Sequence, residues 1–210
     1  MIVAIDGPAG AGKSTVARGL AARLGFRYLD TGAMYRSLTW LALRLGLDLG
    51  EGPELGALAR EHPVTFDGDG RVWIDDTDVT DSIRQVRVDR MVPVVARHPE
   101  VREVMRDRQR DLAADGDVVI EGRDIGTVVV PGAEVKVYLF ADPETRAARR
   151  QAERPEIGPD ALATDLRLRD ELDQSRMEPA PDAHKIDTTK LDIEDVIARI
   201  EELVRAQATV

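Results

Sequence analysis

The 210-residue chain contains no cysteine. That excludes a disulfide framework, a Cys-ligated zinc and a catalytic thiol. An excess of basic charge is missing too: 39 acidic residues face 29 basic ones, for a formal net charge of −10. A protein that grips nucleic acid over a broad face carries the opposite sign. No nucleic-acid polymer is therefore the expected partner, while a local basic pocket for a small anion stays compatible with this balance. No apolar run approaches the roughly 18 residues that span a bilayer, so no membrane partner is expected. The first residues lack a basic stretch, and Asp6 interrupts their apolar start; they do not have the form of a signal peptide. The expected compartment is the cytoplasm. There is no internal repeat or low-complexity tail, and no surplus apolar surface is evident, so a monomer is expected. What remains is an ordinary globular composition, 43% hydrophobic and 32% charged, in a length that suits one domain or one domain with an insert.

The pattern along the chain is α/β. Residues 2–5 are a short apolar β-rich run closed by Asp6-Gly7-Pro8, as in a buried parallel strand. Val16, Ala17, Leu20, Ala21 and Leu24 then fall on one helical face, with Gly25 where a C-terminal cap belongs. A second strand is expected at 26–29. Strand, loop, helix, strand is the βαβ unit and predicts a parallel sheet. A helix follows over 33–45, ended by Gly46, and a short one near 53–61. Residues 64–66 and 72–74 alternate around Asp67-Gly-Asp-Gly70, a hairpin signal foreign to a βαβ series and the mark of an inserted subdomain. Residues 81–114 are helical, with breaks expected at Pro93 and Pro99. Strands are expected at 118–120, 135–140 and 183–187. Helices are expected at 143–153, entered through Asp142-Pro143-Glu144, and at about 160–176 and 192–207.

Gly7-Pro8-Ala9-Gly10-Ala11-Gly12-Lys13-Ser14 matches G-x-x-x-x-G-K-[ST]. Glycines let backbone N–H groups surround a polyphosphate, Lys13 supplies a charge near the β- and γ-phosphates, and Ser14 offers a hydroxyl to Mg²⁺. With Thr15, these residues are the expected ATP site. A phosphate loop alone does not separate a kinase from a motor or a switch. The Asn-Lys-x-Asp string of guanine readers does not occur. The run Val118–Glu121 leads into Gly122-Arg123-Asp124 rather than a long hydrolase segment. Transfer to a small acceptor calls for arginines and a water-excluding lid. Arg146, Arg149 and Arg150 stand at i, i+3, i+4, and Arg169, Asp173 and Arg176 at i, i+4, i+7, on either side of a Pro/Gly break at 154–159. Each trio shares a helical face, the pattern of a lid closing over polyphosphate, with Arg150 directed to ATP. Ion pairing along a solvated face is the plainer alternative. Arg102, Arg106 and Arg110 form a third stripe for which both interpretations stand.

Asp30-Thr31-Gly32-Ala33-Met34-Tyr35-Arg36, Glu121-Gly122-Arg123-Asp124-Ile125-Gly126-Thr127 and Arg169-Asp170-x-x-Asp173-x-x-Arg176 resemble the bacterial cytidylate kinases over nearly the whole chain. The resemblance implies a P-loop kinase three-layer fold with a central parallel sheet, an inserted acceptor-binding subdomain and a short lid. The segments are a core at 1–32, an insert with the hairpin at 33–115, core at 116–150, a lid at 151–162 and core at 163–210. It implies transfer of the γ-phosphoryl group of ATP, with Mg²⁺, to CMP or dCMP. Thr31 would lie near the acceptor, and Arg36 and Arg123 would hold its phosphate. Arg102 and Asp124 would read the cytosine edge, and Arg169, Asp173 and Arg176 would meet sugar and phosphate on closure. Lys13, Arg123, Arg169 and Arg176 would carry catalysis. Many members have Ser where this chain has Pro93, so one base contact is lost or replaced. A kinase for another acceptor, UMP or a non-nucleotide, and a nucleotide-operated regulatory switch are the alternatives.

Overall fold

The computed structural model describes residues 1–68 and 70–208. Asp69, in the hairpin loop, and Thr209 and Val210 lie outside the described residues. The chain divides into two compact units: Met1–Leu29 together with the chain from Ala113 onward, and Asp30–Leu112.

The first unit is built on strands β1 (Ile2–Asp6), β2 (Arg27–Asp30, its last residue beyond the unit's end), β6 (Val118–Glu121), β7 (Val135–Phe140) and β8 (His184–Asp187), in the sheet order β2-β6-β1-β7-β8. The pairings of β1 with β6 and β7, and of β7 with β8, are parallel. Parallel strands covered on both faces read as continuous apolar runs, and in β1 and β6 Val3, Ala4, Ile5, Val118, Val119 and Ile120 are all buried. Helices α1 (Lys13–Leu24), α6 (Pro143–Glu153), α7 (Pro159–Asp173) and α8 (Ile193–Ala208) complete this unit. Leu20, Val119, Leu139, Ile197 and Ile200 share one core cluster. Gly25 closes α1 as expected, its N–H donating to the Ala21 carbonyl. Asp142 caps α6 through Thr145 N, with Pro143 in the first turn. The expected helix to 176 instead ends at Asp173 and tightens into a 3₁₀ turn, Gln174–Arg176.

The second unit holds α2 (Thr31–Leu45), α3 (Gly52–Glu61), α4 (Val86–Ala96) and α5 (Pro99–Ala114, crossing its end). It also holds an antiparallel sheet of β3 (Val64–Phe66), β4 (Val72–Ile74) and β5 (Thr77–Asp78). The hairpin is where it was expected; β5 is an addition too short and polar to show a strand pattern. Helix α2 begins two residues before the expected start because the Asp30 carboxylate accepts from Ala33 N and caps it. The expected break at Pro93 does not occur: α4 runs through it to Ala96. Proline removes one helical hydrogen bond, at a cost of about 3 kcal/mol. Burial of Val88, Val92, Pro93, Val95 and Ala96 on this helix offsets that, since each apolar side chain contributes roughly 1.5–3 kcal/mol.

Candidate active site

Residues 7–12 turn the chain from the end of β1 into the start of α1, with no residue to spare. Gly7 has φ 144°, and a Cβ there would lie 2.0 Å from the Leu139 carbonyl oxygen. Gly10 has φ 77°, and its Cβ would press on Arg146 at 3.0 Å. Two side chains from distant segments and the loop's own lysine hold its carbonyls. Arg146 Nη1 donates to Ala9 O (3.1 Å), Thr188 Oγ1 to Ala11 O (3.0 Å) and Lys13 Nζ to Pro8 O (2.8 Å). In a planar trans peptide the N–H points away from its carbonyl. Anchoring Ala9 O and Ala11 O therefore turns the N–H groups of Gly10 and Gly12 to the opposite side, which suits an anion. The N-terminus of α1 adds its partial positive charge.

Lys13 is 6% exposed. Burial, aided by the Arg123 and Arg169 guanidiniums, pushes its ammonium well below the ordinary lysine range, against the pull of Glu121 and Asp6. A polyphosphate brought beside it would reverse that balance and favour the protonated form. The β6 register sets Glu121 next to Ile5. Its Oε2 accepts from Ser14 Oγ at 3.0 Å and its Oε1 from the Tyr28 hydroxyl. Asp6 is 5% exposed; its Oδ1 accepts from Ile125 N and its Oδ2 from Gly126 N, both at 2.8 Å. Desolvation outweighs those two bonds and the Lys13 charge, with Asp124 adding to it, so the Asp6 carboxyl is pushed up to about 6.

Asp173 gathers three arginines. Its Oδ2 lies 3.1 Å from Arg123 Nε and 3.9 Å from Arg169 Nε, and its Oδ1 is bonded by Arg176. The Arg169–Asp173–Arg176 face expected from spacing thus exists, and Arg123 from the segment after β6 joins it. One buried carboxylate thus gathers three guanidiniums in one place, the kind of donor set that suits an anion. The Arg146/Arg149/Arg150 stripe differs from expectation. Arg146 is buried between Ala9 O and Asp170 (2.7 Å), and Arg149 clasps Thr188 through its Oγ1 (2.9 Å) and carbonyl (2.6 Å). Both are struts of the phosphate loop rather than a charged face displayed for closure. Arg150 pairs with Glu153 on its own helix at 2.7 Å.

In the other unit, Thr31 is buried in the first turn of α2, and Arg36 bonds the Asp30 carboxylate at 2.9 Å. Arg102 is half-buried on α5, its N–H donating to His98 O at 3.0 Å. Asp6, Tyr28, Glu121 and Thr188 were not singled out from the sequence as site residues. The available signal was an acid closing an apolar strand, which both Asp6 and Glu121 display. Among the described residues no group of three or more His, Cys, Asp or Glu side chains could hold a metal by itself, and no helix is long and apolar enough to cross a membrane.

A family model described as Cytidylate kinase matches residues 3–206. The cytidylate kinase of Desulfitobacterium hafniense is 45% identical over 208 aligned positions, covering 94% of this chain and 90% of that one. That of Exiguobacterium sibiricum is 47% identical over 212, covering 96% and 95%. A solved shikimate kinase from Bacteroides thetaiotaomicron covers 98% of each chain with a TM-score of 0.53 at 18% identity, a likeness of fold. With the phosphate loop, the acidic strand ends and the arginine cluster in place, and with relatives of this identity over nearly the full length, the chain belongs to the cytidylate kinase family.

Proposed function

We infer that this protein transfers the γ-phosphoryl group of ATP to CMP or dCMP, giving ADP and the diphosphate. The observation that carries the inference is the meeting of a phosphate loop with Arg123, Arg169 and Arg176 on one buried carboxylate, Asp173. A switch needs the loop and at most one added arginine for hydrolysis; three guanidiniums gathered together suit transfer to an acceptor that is itself an anion. Residues Gly7, Pro8, Ala9, Gly10, Ala11, Gly12, Lys13, Ser14 and Thr15 bind the donor phosphates, with Arg150 on the ATP side. Thr31, Arg36, Arg102, Arg123, Asp124, Arg169, Asp173 and Arg176 serve the acceptor. The segment 151–162 acts as lid.

Ser14 and Glu121 present only hard oxygen donors, which fits Mg²⁺ shared with substrate phosphates. Bound there, it would neutralise polyphosphate charge. Lys13 orients the β- and γ-phosphates, the three arginines offset charge on the transferred group, and closure keeps water from competing as acceptor. No covalent intermediate is needed. Base choice follows hydrogen-bond polarity: an ionised Asp124 accepts from the amino group of cytosine but meets O4 of uracil lone pair to lone pair. The protein works as a monomer in the cytoplasm, where its phosphoryl donor is made and used. An ADP-release assay with CMP, dCMP, UMP and AMP side by side tests the inference. Turnover with CMP and dCMP well above UMP and AMP is expected; equal or absent turnover with all four refutes it.

A further inference from the structure

The turn after β6 begins like a helix and lacks the usual cap. Asp124, at φ −137°, stands at the capping position of the π-helical turn Ile125–Val129. Its carbonyl accepts from Val128 N at 2.9 Å and Val129 N at 3.2 Å, and the Ile125 carbonyl accepts from Val130 N at 2.8 Å. An aspartate here ordinarily folds its carboxylate over the first N–H groups of the turn. Asp124 makes no such bond. Such a cap would take the N–H of Gly126 or Thr127; the Gly126 N–H instead donates to Asp6 Oδ2, and Asp6 Oδ1 accepts from the neighbouring Ile125 N–H, across 120 and 119 positions of the chain. The preceding residue of β1 grips the same segment, Gly122 N donating to Ile5 O at 3.0 Å. The last two residues of β1 thus clamp the segment that carries Arg123 and Asp124.

We propose that Asp6 is a positioning residue for base recognition: by capping the 125–129 turn in place of Asp124, it keeps the Asp124 carboxylate committed to the cytosine edge. The inference rests on the proposed role of Asp124 as base reader. Asp6 touches no substrate and acts through the turn. The strand end that leads into the donor loop therefore also sets the acceptor's base preference. If the Asp6 cap is impaired, the Gly126 N–H falls to the side chain that stands at the capping position, Asp124, which would swing from base to backbone. Asp6→Asn keeps the shape but has one acceptor oxygen; its amide NH₂ faces an N–H, so one cap bond is lost.

The test is a set of four proteins: the parent, Asp6→Asn, Asp124→Asn and the double variant. KM and kcat are measured for CMP, UMP and ATP. Asp6→Asn is expected to raise KM for CMP about tenfold, the order of one charged hydrogen bond, and to narrow the CMP:UMP ratio of kcat/KM. KM for ATP should change by less than about threefold. The double variant should discriminate no worse than Asp124→Asn alone, because both changes act on one carboxylate. Asp6→Ala is made alongside, so that the outcome does not depend on one variant folding. An unchanged ratio in the Asp6 variants, beside a narrowed one in Asp124→Asn, overturns the positioning role. An unchanged ratio in all variants overturns Asp124 as base reader, and the inference with it. KM rising equally for ATP and CMP also overturns it, since that marks general damage to the loop.

Discussion

Burial of Asp6 has a measurable consequence for stability. In an unfolded chain its carboxyl titrates near 3.8, and in the folded protein near 6. Between those values the folded state holds the proton more tightly than the unfolded state, so folding stability falls as pH rises through the window. The full difference is about 3 kcal/mol, at 1.36 kcal/mol per pH unit. A little under half of it, roughly 1.3 kcal/mol, is expressed between pH 5 and pH 7. Asp6→Asn cannot titrate. It also loses one bond to Ile125 or Gly126, a constant offset of about 1 kcal/mol. The offset does not vary with pH, so the slope is the diagnostic quantity. Urea unfolding of both proteins should be followed by far-UV circular dichroism from pH 5 to pH 7. Trp40 and Trp73 both lie in the Asp30–Leu112 unit, so their fluorescence reports on the other unit. The variant should gain on the parent by about 1–1.5 kcal/mol as pH rises over that range. A difference that stays flat, or turns the other way, would refute the balance in which desolvation outweighs two N–H bonds.

Three further substitutions probe the site. Lys13→Ala should leave the thermal transition nearly in place and lower kcat by on the order of 10²–10³, as expected for removing a charge from the transferring group; near-normal turnover would show that Lys13 does not act on the phosphates. Glu121→Gln should cost at most about 1 kcal/mol, because the hydroxyls of Ser14 and Tyr28 can reorient around an amide; the Mg²⁺ concentration for half-maximal rate should nonetheless rise about tenfold, which a Mg²⁺ titration reads. Gly7→Ala sets a methyl 2.0 Å from the Leu139 backbone oxygen, where no side chain can give way. Destabilisation of well over ~2 kcal/mol is expected by calorimetry, and an unchanged Tm would contradict the packing of β1 against β7.

Local signals made much of the fold legible. A glycine after a helical stripe ended α1 and α2, Asp142-Pro143 opened α6, and alternation marked β3 and β4. The phosphate loop was legible for the same reason: its residues are contiguous. The rest of the site depends on sheet order. Ile5 and Glu121 become neighbours because β6 pairs with β1 in parallel, and Thr188 reaches Ala11 from 177 positions away. Nothing local in the sequence encodes those meetings. Arg146 and Arg149 show the opposite limit. Helical spacing correctly placed them near one face, but spacing cannot tell an arginine that binds a ligand from one whose fork is filled by a carbonyl and a carboxylate. At Pro93 local chemistry argued for a break, and burial of the surrounding valines prevailed.

Phosphoryl transfer, as opposed to nucleotide binding or hydrolysis, is tested most directly by following the label. The protein is incubated with Mg²⁺, γ-³²P-labelled ATP and CMP, and the products are separated by chromatography. Label should appear in CDP at the rate ADP forms, with little inorganic phosphate, and Lys13→Ala should slow its appearance by on the order of 10²–10³. Label released as inorganic phosphate at a rate indifferent to CMP, or retained in ATP, would contradict the assignment.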